Sequence, residues 1–241
     1  MLGTRPSFRW RHSLRFPVMR AYKFLDHSGR AVFSGFRWPV PGPGDDAGPW
    51  VETGGVVPCR EGVHGCRPSA LGFWLNEELW EIELAGDVVE VGTKVVAPRG
   101  RLVRRIGGWA GGAAREFAET TAFRARDTAI AFCRNASGLG SDGLEALAAC
   151  TDYGELQTRA LAAYESLPGG SEEQTSVGFV RDATHFLEVH ICHAPFISAC
   201  AAGHAASART GSRADWEAAV TAERSWQSAW ITDRLALGGG R

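Results

Sequence analysis

The fold is decided within residues 79–112, which read LWEIELAGDVVEVGTKVVAPRGRLVRRIGGWAGG. Up to Ile106 the apolar residues recur mostly at every second position between glycine and proline turns, which is the pattern of half-buried strands. Four of the next six residues are glycine. From Ala113 to Arg134 the chain is rich in Ala, Glu and Arg and has no proline, which is typical of a helix. The sequence therefore predicts strands before the glycine-rich segment and helices after it.

The residues before the glycine-rich segment predict a small mixed or antiparallel β domain at 19–106. A hairpin is expected over 20–36, with Asp26-His27-Ser28-Gly29 as its turn. Further short strands are expected at 50–52, 56–58, 79–84, 88–91, 94–97 and 101–106.

The residues after the segment predict an alanine-rich helical domain at 113–237. Ser171 and Gln174 have the spacing of a capping box, which places the start of a helix there. Helices are expected at 113–134, 144–167 with a break near 152–154, 172–193, from Pro195 to 208, and 215–237. The predicted class is thus α+β, with 107–112 as a glycine hinge between two domains.

The first 18 residues differ in charge from the rest of the chain. They carry four arginines and no acidic residue, whereas the whole chain has a net charge of -1. Met19 stands directly before the first predicted strand, so we expect 1–18 to be a basic disordered arm or an alternative-start extension. Nucleic-acid binding is not expected except through this arm.

The hydropathy pattern and the six cysteines bear on the compartment. No stretch approaches the roughly 18 consecutive apolar residues of a membrane-spanning helix, so no membrane partner is expected. No apolar signal-peptide core follows the basic N-terminus, which favours reduced thiols over disulfides. We therefore expect a cytoplasmic protein.

Three potential zinc ligands, Cys59, His64 and Cys66, fall within eight residues. Zinc binds thiolates and neutral imidazoles in tetrahedral sites, so these side chains could supply three ligands. The C-x₄-H-x-C spacing is not a standard zinc knuckle, and the fourth ligand would come from elsewhere. The alternative is structural: the two cysteines are small apolar residues at strand ends, and His64 lies in a tight turn.

A second group of potential ligands occurs in the helical half. On one helix, ligands recur three or four residues apart, and this group does not follow that spacing. Its members are His185, His190, Cys192, His193, Cys200 and His204. We expect ordinary surface histidines, with a metal site built from two segments as the alternative.

Aromatic and acidic residues are concentrated in the β half. Trp38 and Trp80, together with Lys94, are candidates for lining a ligand groove, although bulky residues are also what a small sheet needs for its core. The acidic pairs Glu77/Glu78 and Glu81/Glu83 lie in and beside a predicted strand, and alternation places the second pair on its solvent-facing side.

The β half contains, in this order, a lone cysteine, a Gly-hydrophobic-His-x-Cys element and a late Lys-Val-Val-Ala strand. These are Cys59, Gly62-Val63-His64-Gly65-Cys66 and Lys94-Val95-Val96-Ala97. In this order of elements the chain, over about residues 20–106, resembles an uncharacterised domain of bacterial and tailed-phage proteins. That family has no assigned activity, so the resemblance implies no reaction.

The order of motifs in the β half also resembles that of the ADP-ribosyltransferases of the diphtheria-toxin or arginine-specific type. The motifs that carry this resemblance are the run 62–66, then Glu90, then Pro98-Arg99-Gly100. This resemblance implies an NAD-using transferase with His64 and Glu90 as catalytic candidates in one cleft. Lys94 stands where the family has its catalytic carboxylate, and Glu90 lies four residues earlier. Because that carboxylate stabilises the developing charge on the ribose, the resemblance implies a degenerate enzyme.

No complete catalytic motif is present: the sequence lacks a glycine-rich dinucleotide loop after a strand, a P-loop lysine and a nucleophile elbow. We therefore expect a non-catalytic binding or regulatory module of a bacterial or phage-related protein. Two alternatives remain open, a degenerate NAD-using transferase and a zinc-stabilised interaction protein.

Overall fold

The computed structural model describes residues 17–134, 140–185 and 190–238, so almost all of the expected basic arm lies outside the described residues. Antiparallel sheets come first and helices follow, which confirms the predicted α+β class. The strands are β1 (Val18–Leu25), β2 (Val51–Glu52), β3 (Val63–Gly65), β4 (Glu78–Ala85), β5 (Val89–Val91), β6 (Lys94–Ala97) and β7 (Arg99–Arg105). A short 3₁₀ helix, Pro68–Phe73, precedes β4.

The helical half begins with a wide turn at Trp109–Ala113 that leads directly into the first helix. The helices are α1 (Ala114–Cys133), α2 (Ser141–Ala149), α3 (Tyr153–Ser166), α4 (Glu172–His185), α5 (His193–Ser207) and α6 (Arg213–Arg234). The expected capping interaction is confirmed, since the amide of Gln174 donates to Oγ of Ser171 at 3.0 Å. Of the helix expected over 172–193, the structure describes Glu172–His185 as helical and 190–192 as non-helical, and residues 186–189 lie outside the described residues.

The strands form two sheets, one in the order β1-β4-β7-β2 and the other in the order β3-β6-β5. Two main-chain hydrogen bonds between Tyr22 and Cys66, of 2.9 and 2.8 Å, join them. The sheets approach so closely that a Cβ on Gly100 would lie 2.5 Å from Cγ1 of Val63. Between them lies an apolar core built largely of aliphatic side chains, among them Ala21, Ile82, Leu84, Val95 and Leu102.

The hairpin expected over 20–36 is wrong. β1 pairs along its whole length with β4, from Val18 opposite Ala85 to Leu25 opposite Glu78. The Asp26 carboxylate accepts hydrogen bonds from the amides of Ser28 and Arg30, and the chain reverses again within Ala31–Phe36. Because two tight turns follow each other here, no second strand has room to form, and the eight-residue strand β4 becomes the partner of β1.

Glu81 departs from the solvent-facing position that alternation predicts. Its side chain is 3% exposed. One carboxylate oxygen lies 3.0 Å from Arg20 and the other lies 2.6 Å from Arg104. The two flanking strands thus supply arginines that pair with and cover this carboxylate.

The two halves of the chain share one hydrophobic cluster. It contains Phe24 of β1, Leu71 of the 3₁₀ helix, Phe117 of α1 and Ile231 of α6, together with Trp109 from the glycine-rich segment. Trp109 is 1% exposed, so the segment expected as a hinge carries one of the most buried side chains of the protein. The domain boundary near 107 stays a prediction, whereas packing between the halves is a feature of the structure.

The sheet register brings the ends of several strands to one place. β1 ends opposite the start of β4, at the pair Leu25 and Glu78, and Trp80 of β4 lies opposite Arg105 at the end of β7. The chain then turns directly into α1.

The described helices include none with both the length and the apolar character needed to span a membrane.

Candidate functional site

A cleft of about 380 Å³ opens where these strand ends meet. Its polar lining comes from five separate segments of the chain. The lining side chains with ionisable groups are His27, Glu77, Glu78, Arg105, Arg115 and His190. Concave sites in which a few polar groups converge are the usual location of ligand binding, so this cleft is the candidate functional site.

His27 and Glu77 form an ion pair on one wall of the cleft. The main-chain amide of His27 donates to Oε2 of Glu77 at 2.6 Å, and the ring Nδ1 donates to the same oxygen at 2.8 Å. The hydrogen bond and charge of Glu77 raise the pKa of His27. Burial works to raise the pKa of Glu77, but the two hydrogen bonds from His27 and the charge of His27 outweigh it, so that pKa is lowered. Each partner thus favours the charged form of the other.

Glu78 and Arg105 form the next wall. The guanidinium of Arg105 lies 2.9 Å from Oε1 of Glu78, while the indole of Trp80 donates to Oε2 at 3.0 Å. Both carboxylate oxygens are therefore engaged. The side chain of Arg105 remains 47% exposed, so its guanidinium still has donors directed to solvent.

The helical half supplies the remaining walls. Arg115 lies in the first turn of α1 and pairs with Glu119 at 3.0 Å, leaving its side chain 59% exposed. His190 lies just before α5, and its Nδ1 accepts a hydrogen bond from the amide of Cys192 at 3.2 Å. This acceptor role assigns the ring proton of a neutral His190 to Nε2.

The cleft exposes two guanidinium groups to solvent. Arg105 pairs with Glu78 and Arg115 pairs with Glu119, and their side chains are 47% and 59% exposed. Guanidinium groups match carboxylates and phosphates in both charge and geometry. The arrangement is therefore suited to holding a small molecule through an anionic group.

A larger groove, of about 530 Å³, lies on α3 and α4 and includes Leu161, Arg181 and His185. Arg181 pairs with the adjacent Asp182 at 2.6 Å and stacks on Tyr164 at 4.0 Å. Its guanidinium is thus engaged within the protein, and the groove borders residues outside the described ranges. The cleft has the stronger set of converging ionisable groups.

The three candidate zinc ligands, Cys59, His64 and Cys66, differ in exposure and in bonding. Cys59 is exposed, whereas Cys66 is buried and its thiol pKa is raised to about 12 by desolvation. His64 lies in β3 rather than in a turn, and both its ring nitrogens bond to the main chain: Nε2 accepts from Cys59 at 3.2 Å and Nδ1 donates to Gly62 at 2.9 Å. Within residues 17–134, 140–185 and 190–238, no three His, Cys, Asp or Glu side chains form a set that could hold a metal ion.

His64 and Glu90, the candidates implied by the transferase resemblance, do not meet. His64 is in register with Val96, whereas Glu90 is in register with the preceding residue of β6, Val95. Because side chains of successive strand residues point to opposite faces, His64 and Glu90 point to opposite faces of this sheet. Glu90 pairs instead with Arg67 at 2.5 Å on the surface.

The expected groove residues Trp38, Trp80 and Lys94 have separate environments. Trp38 is 6% exposed, and its ring faces Nζ of Lys23 at 5.0 Å. Trp80 is buried and donates to Glu78 behind the cleft wall. Lys94 lies over the ring of Trp74 at 5.0 Å and contacts Cys59. Of the three, only Trp80 acts on the candidate site, through its hydrogen bond to Glu78.

The second group of histidines and cysteines is also dispersed. His190 lines the cleft, whereas His204 lies on α5 between the rings of Phe132 and Phe179. Cys192 is partly buried, and desolvation raises its pKa to about 12. The group therefore contributes one residue to the candidate site.

Sequence reasoning missed His27, Arg105 and Arg115 as site residues. His27 was expected in a hairpin turn, and the two arginines lie at the ends of predicted elements. The one signal in the sequence was the acidic pair Glu77/Glu78 at the start of a strand. Unlike charges gather around it only through the register of β1, β4 and β7.

No family model, curated protein or solved structure matches this chain. The resemblances suggested by motif order therefore stay predictions.

Proposed function

We propose that the protein is a non-catalytic binding module whose ligand is a small molecule with a carboxylate or phosphate group, held in the cleft. The observation that carries the proposal is the exposure of two arginines that line the cleft: Arg105 pairs with Glu78 and Arg115 with Glu119, yet their side chains stay 47% and 59% exposed. An anionic group entering between the arginines would meet two guanidinium groups that offer charge-assisted hydrogen bonds.

The cleft volume limits the ligand to a small metabolite rather than a polymer. At about 380 Å³ the cleft lies near the lower end of the range for small-molecule sites. The cytoplasmic location expected from the sequence stays part of this proposal. A binding role in a bacterial or phage-related setting agrees with the first motif resemblance and stays part of this proposal.

The test is a thermal-shift screen of the full chain with inorganic phosphate, di- and tricarboxylates, mononucleotides and NAD, followed by calorimetric titration of any hit. A ligand present at a hundredfold excess over its Kd stabilises the folded state by about 2.7 kcal/mol, which corresponds to a rise in Tm on the order of 5–10 °C for a chain of this size. A flat response to every anion at millimolar concentration would contradict the proposal.

The chain offers a matched control for the role of Arg115. Arg115 and Arg213 each lie in the first turn of a helix and pair with a glutamate four residues later, but only Arg115 lines the cleft. Arg115→Gln is expected to raise the Kd of the ligand found in the screen about tenfold or more, because a charge-assisted hydrogen bond is lost. Arg213→Gln is expected to leave the affinity unchanged, and equal weakening in both variants would place the ligand elsewhere.

The non-catalytic part of the proposal is tested with the same protein. NAD is incubated with the full chain, and free nicotinamide is measured over time. No release above the protein-free rate is expected, because His64 and Glu90 lie on opposite faces of their sheet. Nicotinamide release that is lost in Glu90→Gln would overturn this part and favour the degenerate-transferase alternative.

A further inference from the structure

A cysteine and a lysine meet beside the three-stranded sheet, among residues that do not line the cleft. Nζ of Lys94, the first residue of β6, lies 2.9 Å from Sγ of Cys59. No described carboxylate takes part in this contact. The pair therefore brings a nucleophilic thiol within hydrogen-bond reach of an amine.

The local structure holds the thiol in place. Cys59 has a φ of 67°, a backbone conformation that residues other than glycine rarely adopt. Its amide donates to Nε2 of His64, whose Nδ1 donates in turn to the carbonyl of Gly62. Burial, with further effects from Lys23 and Lys94, lowers the pKa of His64, so the neutral ring that accepts from the Cys59 amide is favoured.

The lysine is also held. Nζ of Lys94 lies over the ring of Trp74 at 5.0 Å, a cation–π contact. The indole of Trp74 donates to the carbonyl of Thr93 at 3.1 Å, so the ring is tied to the same hairpin. Both partners of the contact are therefore positioned by further interactions.

The other five cysteines are poorly suited to oxidation. All six lie in the described residues, and Cys59 is the exposed one. Desolvation raises the pKa of every other thiol, to about 12 for Cys66 and Cys192 and to about 11 for Cys133, with the same direction for Cys150 and Cys200. Since the thiolate is the reacting form, oxidation is directed to Cys59.

We propose that Cys59 and Lys94 form a peroxide-reactive site that closes into a reversible sulfur–nitrogen link. The oxidant is hydrogen peroxide or an organic hydroperoxide. The proposal is independent of ligand binding in the cleft.

The first step oxidises the sulfur. The Cys59 thiolate attacks one peroxide oxygen, an S–O bond forms and the O–O bond breaks. With hydrogen peroxide the leaving hydroxide takes a proton from the Lys94 ammonium and departs as water. The products are a sulfenic acid on Cys59 and a neutral amine on Lys94, with two electrons transferred from sulfur to peroxide.

The second step joins the two side chains. The lone pair of the Lys94 nitrogen attacks the sulfenic sulfur, the S–O bond breaks, and the hydroxyl leaves with a proton from nitrogen as a second water. In sum, thiolate, hydrogen peroxide and ammonium give the S–N link and two waters. Sulfenic acids are known to condense with nitrogen nucleophiles in this manner, and thiols reverse the product.

An arginine could not replace the lysine in this sequence of steps. The chain has 26 basic residues, of which only Lys23 and Lys94 are lysines. A guanidinium keeps its proton in proteins, so it provides neither the acid nor the nucleophile. Lys94→Arg therefore retains the positive charge but can neither donate the proton to the leaving hydroxide nor attack the sulfenic sulfur.

The test treats the reduced full chain with hydrogen peroxide, quenches at intervals, and maps peptides by mass spectrometry. We expect a Cys59 peptide joined to a Lys94 peptide with the loss of two hydrogen atoms, reversed by dithiothreitol. Oxidation of Cys59 should exceed that of each other cysteine on the order of tenfold or more. Lys23 peptides in the same digest serve as the internal control and should remain unmodified.

Two variants separate the steps, and both change side chains at the surface. Cys59→Ser should abolish the link, and Lys94→Arg should abolish it while leaving a sulfenic acid on Cys59 that dimedone traps. The proposal is overturned if another cysteine reacts first, if the wild-type chain accumulates only disulfides or higher oxides, or if Lys94→Arg forms no trappable sulfenic acid.

Discussion

The indole of Trp109 donates a hydrogen bond of 3.0 Å to the main-chain carbonyl of Asn76, and both residues are buried. Asn76 precedes the strand β4, whereas Trp109 starts the turn into α1. The ring also packs edge-on against Phe24 of β1 at 5.4 Å and at a tilted angle against Phe117 of α1 at 5.8 Å. A residue of the glycine-rich segment thus joins the sheet to the helices.

From this contact we expect the two halves to unfold together. Trp109→Ala should lower the free energy of unfolding by about 3–5 kcal/mol, because a large buried side chain and its hydrogen bond are lost. The measurement is urea unfolding followed by far-UV circular dichroism and by tryptophan fluorescence. Coincident transitions in the wild type would support a shared core, whereas two separate transitions would indicate independent domains.

The carboxylate of Glu223 on α6 is expected to contribute strongly to stability. It is 6% exposed and accepts from Arg124 of α1 at 2.5–3.2 Å and from Oγ of Ser198 of α5 at 2.9 Å. Glu223→Ala would leave Arg124 without its partner and should cost about 3 kcal/mol, near the low end for broken buried pairs because Arg124 is partly exposed. Thermal or urea unfolding measures the change.

The control for Glu223 lies on the same helix. Glu217 pairs with Arg213 at 2.7 Å, but both side chains are more than half exposed. Glu217→Ala should therefore leave the unfolding midpoint unchanged within error. Equal destabilisation by both substitutions would show that the buried network has no special role.

Gly72 of the 3₁₀ helix lies against α6 without room for a side chain. A Cβ there would overlap the carbonyl oxygen of Arg224 and lie 2.9 Å from Cβ of Gln227. The Gly72 amide also donates to Oγ of Ser228 at 2.9 Å. Gly72→Ala should destabilise the fold by about 1–3 kcal/mol through overpacking.

Gly107 provides the comparison for Gly72. A Cβ on Gly107 would meet nothing within 4 Å, and its backbone conformation is open to other residues. Gly107→Ala should be neutral or slightly stabilising, because alanine has less freedom to lose on folding. If Gly72→Ala were equally neutral, the close contact between α6 and the 3₁₀ helix would be refuted.

The pair His27 and Glu77 predicts a bell-shaped contribution to stability as pH changes. Because the pKa of Glu77 is lowered in the folded state, the ionised Glu77 stabilises the fold above the ordinary glutamate pKa of 4.5. This stabilisation is lost as the pH falls through the folded-state pKa. Because the pKa of His27 is raised in the folded state, the protonated His27 stabilises the fold below the ordinary histidine pKa of 6.5. This stabilisation is lost as the pH rises through the folded-state pKa. The full contribution therefore lies between pH 4.5 and 6.5.

The measurement compares the unfolding free energies of the wild type and His27→Gln across this range. Their difference should be largest inside the window and decline on both sides. Glu77→Gln should remove the same pH dependence, since each variant breaks the same pair. A difference that is constant with pH would contradict the assigned ion pair.

The order of strands and helices could be predicted because its signals are local. The two-residue alternation at 79–84 and the alanine-rich, proline-free run at 113–134 each indicate an element within a few neighbours. The same reasoning failed for 20–36, where the expected hairpin is a strand followed by two turns. Pairing partners depend on distant segments, and β4 provides a longer partner than the adjacent chain.

By itself, the sequence determined the α+β class, the alternation of apolar residues in the main strands and the positions of most helices. The tertiary structure decided which charged residues meet: it brought His27, Glu77, Arg105, Arg115 and His190 from five segments to one cleft, and it placed His64 and Glu90 on opposite faces of a sheet. The physical reason is that periodicity follows from the backbone geometry of each element. Convergence of side chains follows from strand register and from packing between elements, and a shift of one residue reverses the face on which a side chain lies.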